Sequence, residues 1–129
     1  NLLSPGPGVG GHCLAVDPWF VVEKAPQEAK LIHLSREIND SQPRFVVDMI
    51  DEMVKGITSP KVTVLGVSYK ANVDDSRESP AITIIDGLKE RGYDLGIYDP
   101  HVKSFKHELS GLEEAFHSRL PAEVWYFCI

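Results

Sequence analysis

Apolar positions recur at two different periods along this chain, and the change falls near residue 58. Before it, Leu31, Leu34 and Ile38 are spaced three and four apart, and Phe45, Val46, Met49, Ile50, Met53 and Val54 repeat the pattern. Such spacing places each set on one face of a helix. Residues 24–57 therefore predict helix, in two pieces. Pro26 suits the first turn of the first piece, where its missing N–H costs nothing. Pro43 predicts a break or kink near Gln42, with Ser41 capping the second piece and Gly56 just past its end. Two apolar-faced helices of this length need a covering surface, either more of the same chain or another subunit.

After Pro60 the pattern shortens. Lys61-Val62-Thr63-Val64-Leu65-Gly66-Val67 is an apolar, β-branched run that reads as a buried strand. A polar stretch from Ser68 to Glu78 follows. The segment from Ser79 to Gly92 reads as a helix, with Ser79 its cap, Pro80 its first position and Gly92 its stop. Tyr93 to Tyr98 is a second strand closed by Asp99-Pro100; Leu112 to His117 predicts a short helix, and Glu123 to Ile129 a third strand. The order β-α-β-α-β is half of a doubly wound nucleotide-binding sheet. The predicted class is thus α/β: a helical segment over 1–57, then a half-Rossmann parallel sheet over 58–129. Ligands of such a sheet lie beyond the carboxyl ends of its strands. The first βα turn reads Gly66-Val67-Ser68-Tyr69-Lys70 rather than G-x-G-x-x-G, so a dinucleotide is not expected to bind this half in the usual manner.

Bulk composition narrows the partners. Of the 129 residues 43% are apolar and 25% charged, which predicts a packed core rather than disorder. A net charge of −6 argues against nucleic acid or an anionic membrane as the main partner, but not against a phosphate ligand, which needs only local cations. No apolar run approaches the length that spans a bilayer. Cys13 and Cys128 form no metal or redox spacing, a usage that suits a reducing cytoplasmic compartment. The chain opens at Asn1 in mid-motif and ends within the apolar run 124–129, so it reads as a fragment of a longer protein.

Candidate chemistry concentrates at two places. The first is Pro5-Gly6-Pro7-Gly8-Val9-Gly10-Gly11-His12-Cys13, a glycine-rich loop that delivers one thiol, with Asp17 four residues on. Glycines let a ligand approach the main chain closely, and a thiolate attacks electrophilic carbon well. The same loop could equally end in a buried thiol acting as a small hydrophobe. Asp17 could be a base beside Cys13 or the cap of the turn before Pro18. His12 adjoins Cys13, but neighbouring side chains diverge and no third ligand is apparent, so no metal is expected. The second place is the polar loop, where Lys70 and Arg77 flank Asn72, Asp74 and Asp75. Two cations beside a helix N-terminus suit an anionic ligand, although such charges can also pair with one another. Trp19 and Phe20 read as core or interface.

Taken together, Pro5 to Pro18 resembles the catalytic-cysteine motif of the UDP-glucose/GDP-mannose dehydrogenase family. Gly66 to Ala81 resembles a second signature of that family, Tyr98-Asp99-Pro100 a third, and Arg36 to Asp40 with Pro43-Arg44 the helix between them. The resemblance implies an NAD-dependent enzyme that oxidises the primary alcohol of a UDP-sugar to a carboxylate in two hydride transfers. On that resemblance Cys13 is the nucleophile that captures the aldehyde, and Asp17 positions or deprotonates the hydrolytic water. Ser4, Pro5, Gly6, Pro7, Gly8, Val9, Gly10 and Gly11 present backbone groups to the sugar. Lys70 contacts the nucleotide sugar, and Arg77 reaches the cofactor. The helices 24–57 would form a homodimer. Many glucose-type members carry Ser before the cysteine and Lys before the aspartate; here His12 and Val16 stand there, which favours an N-acetylhexosamine, UDP-N-acetyl-D-mannosamine above all. The end of the chain after Leu120 does not match the family's usual third strand. The alternative from a different class is a non-catalytic nucleotide-binding and dimerisation module. With the cofactor-binding half expected upstream of Asn1, the 129 residues alone are expected to be inactive.

Overall fold

A computed structural model of the protein describes residues 6–102 and the backbone of 125–128. Its elements are α1 (Asp17–Lys24), α2 (Lys30–Met53), β1 (Lys61–Leu65), α3 (Pro80–Glu90), β2 (Asp94–Tyr98) and β3 (Trp125–Cys128). The predicted helix at 112–117 lies outside the described residues, as do Ser4 and Pro5.

The three strands form one sheet in the order β2-β1-β3, both pairs parallel. Val62 aligns with Leu95 on one side and Trp125 on the other, so the most apolar strand is the central one. The β1-α3-β2 unit starts as its sequence predicts. Pro80 opens α3, Ser79 Oγ accepts the Ala81 N–H at 3.3 Å, and Gly92 follows its end. Val62, Val64, Val67, Ile84, Ile85, Leu88, Ile97 and Val102 make the core, and Val47 and Ile50 of α2 join it. Each such buried side chain contributes about 1.5–3 kcal/mol relative to exposure. Arg91, just past α3, ties α2 down further through ion pairs with Asp48 and Asp51.

The helical segment departs from its sequence reading in two ways. The break falls at residues 25–29, where the Glu28 and Ala29 N–H groups both turn back to the Ala25 carbonyl, and not at Pro43. α2 runs through Pro43 without interruption, and Ser41 does not cap it. Proline inside a helix forfeits one hydrogen bond and crowds the preceding turn, at about 3 kcal/mol. Here Pro43 is buried, and its packing offsets that cost. The carbonyl that Pro43 leaves without its helical donor is that of Asn39, while the Ile38 carbonyl beside it accepts two side-chain donors, Ser41 Oγ at 2.7 Å and Gln42 Nε2 at 3.4 Å. The second departure is α1 itself: Asp17-Pro18, read as a turn, is the first turn of a helix with Pro in its usual starting position.

One face of α2 packs inward; the other is bare. Leu31, Leu34, Ile38, Phe45, Met49 and Met53 follow each other at helical spacing, and every one is exposed, Leu31 to 76%. No helix of the described residues is long and apolar enough to cross a membrane.

Candidate active site

The glycine loop is held from two directions. Asn39, on α2, pairs with both polar groups of Val9: its Oδ1 accepts the Val9 N–H at 2.8 Å and its Nδ2 donates to the Val9 carbonyl at 3.4 Å. Arg36, one turn earlier on the same helix, donates from Nη1 to the Leu14 carbonyl at 3.1 Å. From the other side, the Gly11 N–H donates to the Glu78 carbonyl at 3.3 Å. Glu78 has φ 50°, a left-handed conformation uncommon for a non-glycine residue, immediately before the Ser79 cap of α3. Gly10 lies against that same carbonyl and Gly11 against the Tyr69 ring. The loop thus spans α2 and the start of α3.

Cys13 emerges from this clamp with its side chain exposed. Its carbonyl accepts the Val16 and Asp17 N–H groups at 3.0 and 2.8 Å, which closes one helical turn leading into α1. Positions four apart on such a turn share a side, so Cys13 and Asp17 are neighbours. Asp17 is exposed in the first turn of α1. The neighbouring His12 ring meets Tyr69 edge-on, centroids 6.4 Å apart.

At the carboxyl ends of β1 and β2 lies a cavity of about 360 Å³. Lys70, Tyr69, Asn72 and His101 line it, with Pro7 and Gly8 of the glycine loop and Pro80 at the head of α3. The structure therefore brings Lys70 to the start of the cysteine loop, two regions that are some sixty residues apart in sequence. Cys13 and Asp17 are not among the residues lining it. A second cavity, about 620 Å³, sits between the loop, α2 and α3, lined by Arg36, Asn39, Asp40, Trp19 and Glu78 among others.

Two aspartates organise the polar loop. Asp99 accepts the Val67 and Ser68 N–H groups on one oxygen, at 2.8 and 3.2 Å, and the His101 and Val102 N–H groups on the other, at 2.8 and 3.0 Å. Burial alone would push this carboxyl up, but the four backbone donors outweigh it and hold the group at about 2. The Val67 and Ser68 donors are those a βα turn would offer a pyrophosphate, and a carboxylate already fills them. With no G-x-G-x-x-G and those donors taken, the described residues make no dinucleotide cradle. Asp75 instead grips Arg77 in a fork, Nη2 to Oδ2 at 2.6 Å and Nε to Oδ1 at 2.9 Å. That pairing and the Arg77 N–H hold Asp75 at about 2, and Asp75 pushes Arg77 up in turn. Arg77, the residue expected from the resemblance to reach the cofactor, is thus paired within its own loop.

Asp99 supplies a test by pH. Its folded value lies below the ordinary 3.8, so its stabilisation is full above about pH 4 and lost as pH falls towards 2. Allowing for its partial exposure, that amounts to about 1–2 kcal/mol. Denaturant melts of the Asp99→Asn variant are expected to start lower at pH 7 and to lose correspondingly less between pH 4 and pH 2. Parallel pH profiles for the two proteins would refute the assignment.

Arg36 and Asn39 were not among the site residues read from sequence. The segment Arg36 to Asp40 stands out there only as a resemblance to a family helix; the signal for a role is that Arg36, Asn39 and Asp40 are polar side chains at i, i+3 and i+4 on a helix whose neighbouring faces are apolar.

Known proteins resemble this chain over most of its length. Residues 1–41 match the central domain of the UDP-glucose/GDP-mannose dehydrogenase family, and residues 63–124 match its UDP binding domain. The chain belongs to that family. Among its relatives is the UDP-N-acetyl-D-mannosamine dehydrogenase of Methanococcus vannielii, 51% identical over 117 residues, 89% of this chain and 27% of the relative. The NDP-N-acetyl-D-galactosaminuronic acid dehydrogenase of Ralstonia nicotianae is 46% identical, over 88% of this chain and 27% of its own length. The chain therefore spans about a quarter of these proteins. Among solved structures, UDP-N-acetyl-mannosamine dehydrogenase Cap5O from S. aureus superposes with a TM-score of 0.69 at 50% identity, over 88% of this chain and 26% of that one. GDP-mannose dehydrogenase from Pseudomonas aeruginosa gives 0.75 at 28% identity, over 91% and 29%.

Proposed function

We propose that the full-length protein is an NAD-dependent 6-dehydrogenase of a UDP-N-acetylhexosamine, UDP-N-acetyl-D-mannosamine in the first instance. The observation that carries this is the placement of an exposed cysteine on a clamped glycine loop whose other end borders the Lys70 cavity. In this reading Lys70 holds the nucleotide sugar at that cavity, and the loop from Ser4 to Gly11 lies along the sugar. The C6 alcohol becomes a carboxylate overall, a four-electron oxidation for which two molecules of NAD, bound in turn, would each take one hydride. The Cys13 thiolate adds to the intermediate aldehyde as a thiohemiacetal, which keeps a reactive carbonyl bound. After the second oxidation water cleaves the resulting thioester and releases the thiol, with Asp17 as the group that orients or deprotonates that water. Arg77 is the cation this chain offers towards the cofactor; the rest of the cofactor site belongs elsewhere in the protein.

The bare stripe on α2 has the make-up of a subunit interface, and we assign a homodimer to it. On this reading residues 1–57 are the cysteine loop with its dimerisation helices, and 58–129 the UDP-sugar domain. The enzyme works in the cytoplasm, and the 129 residues by themselves turn over no substrate. A panel of UDP- and GDP-sugars offered to the full-length enzyme, with NADH counted per sugar consumed, tests the whole reading. Two NADH per UDP-N-acetylhexosamine are expected. One would mean that oxidation stops at the aldehyde, and none with any UDP-amino sugar would overturn the assignment.

A further inference from the structure

Arg36 is an unusual side chain to find on α2. It is only 8% exposed, yet it carries a charge, and its Nε is buried with no partner among the described residues. Burying a guanidinium is costly, and an apolar side chain of similar size is often no less stabilising. What an apolar side chain could not do is reach the cysteine loop. Arg36 Nη2 is fixed by Asp40 Oδ1 at 2.5 Å, which leaves Nη1 aimed at the Leu14 carbonyl. The same Asp40 oxygen accepts Asn39 Nδ2 at 3.2 Å. One carboxylate thus joins the two side chains that grip the loop, Asn39 at Val9 and Arg36 at Leu14. Between those grips lie Gly10, Gly11, His12 and Cys13, and the Leu14 carbonyl belongs to the residue directly after Cys13.

We propose that Arg36, buckled to Asn39 through Asp40, is a positioning residue that sets where the Cys13 sulfur stands relative to the sugar. The inference rests on the reading of Cys13 as nucleophile. It adds that α2, the helix assigned to the subunit interface, also sets the geometry of the reacting group. Misplacement of a reacting atom by about 1 Å can cost on the order of 10²-fold in rate. Nucleotide binding at the Lys70 cavity would be untouched, because none of the three buckle residues lines it.

The test uses the full-length enzyme and its Arg36→Met, Arg36→Lys and Asn39→Ala variants. Turnover is expressed per alkylatable Cys13, so that a misfolded fraction drops out. Arg36→Met is expected to lower kcat by roughly 10- to 100-fold, with KM for the UDP-sugar and affinity for UDP within about threefold. Arg36→Lys, which can still donate to one of the two partners, is expected to recover part of the loss. Iodoacetamide should label Cys13 in the Met variant at a changed rate. Unchanged kcat per thiol in both Arg36→Met and Asn39→Ala would overturn the proposal, as would a loss confined to KM. Should Arg36→Met fail to fold, Asn39→Ala and Asp40→Asn carry the same two criteria. Cys13→Ala assayed alongside separates the two failures. An active Cys13→Ala enzyme refutes the nucleophile itself, whereas an inactive one beside fully active buckle variants refutes only the positioning role.

Discussion

Replacing Cys13 by alanine in the full-length enzyme is expected to reduce NADH formation from UDP-N-acetyl-D-mannosamine by about 10³-fold or more, the scale on which covalent nucleophiles act. The loss should fall on kcat. UDP affinity should stay within about threefold, since the cavity that holds Lys70 does not include Cys13. Two structural facts make the expectation sharp. The thiol is exposed, so it is not filling the core, and its removal leaves no cavity. Its backbone is fixed on both sides, through Val9 and Leu14 to α2 and through Gly11 to Glu78, so alanine inherits the same position. Stability should change by less than about 0.5 kcal/mol, as for other surface substitutions. Retained turnover would return the chain to the alternative of a nucleotide-binding and dimerisation module with an incidental thiol.

How much of this was readable in the sequence depends on how local the cause is. Ser79, Pro80 and Gly92 mark the ends of α3 because caps act within one turn; the β-branched run marks β1, and the short segment closed by Asp99-Pro100 marks β2, each within a residue or two. Trp125–Cys128 likewise forms the third strand inside the predicted range. Pro43 misleads for the opposite reason. Its local effect is to break a helix, and what keeps α2 whole is burial of the ring, a tertiary term that no window of sequence contains. The site divides in the same way. The grip of Asp75 on Arg77 is a local pairing, and it was visible as one of two outcomes. The bonds of Asn39 to Val9, of Glu78 to Gly11 and of Asp99 to Val67 join residues 30 or more positions apart, and they decide the geometry. Motif order could place these segments in one family, but only the fold shows which atom holds which.

The glycine loop carries the second large effect, and it discriminates between two adjacent glycines. A Cβ on Gly10 would stand 2.2 Å from the Glu78 carbonyl oxygen, 2.8 Å from Pro80 Cδ and 3.1 Å from the Glu78 carbonyl carbon. Real Cβ atoms essentially never come within 3.0 Å of such neighbours. A carbonyl held just before a helix cap and a proline ring at a helix start cannot rotate aside, so the loop itself must retreat by close to 1 Å. That retreat breaks the Gly11 N–H bond to Glu78 and displaces Cys13. Gly10→Ala is therefore expected to cost on the order of 10²-fold in kcat, although the core beneath it is intact. The nearest neighbours of a Cβ on Gly11 would be Tyr69 ring atoms, the first at 2.8 Å, and a side chain can swing away; its cost is the left-handed backbone at φ 91°. Strain of that kind amounts to about 1–3 kcal/mol and falls on loop stability rather than on the docking contact. Gly11→Ala should accordingly lower the melting temperature more than Gly10→Ala does, and Gly10→Ala should lower kcat more than Gly11→Ala does. Melting curves and steady-state kinetics on the two full-length variants give both orderings, and a reversal of the second would mean that the loop is not held on Glu78 during turnover.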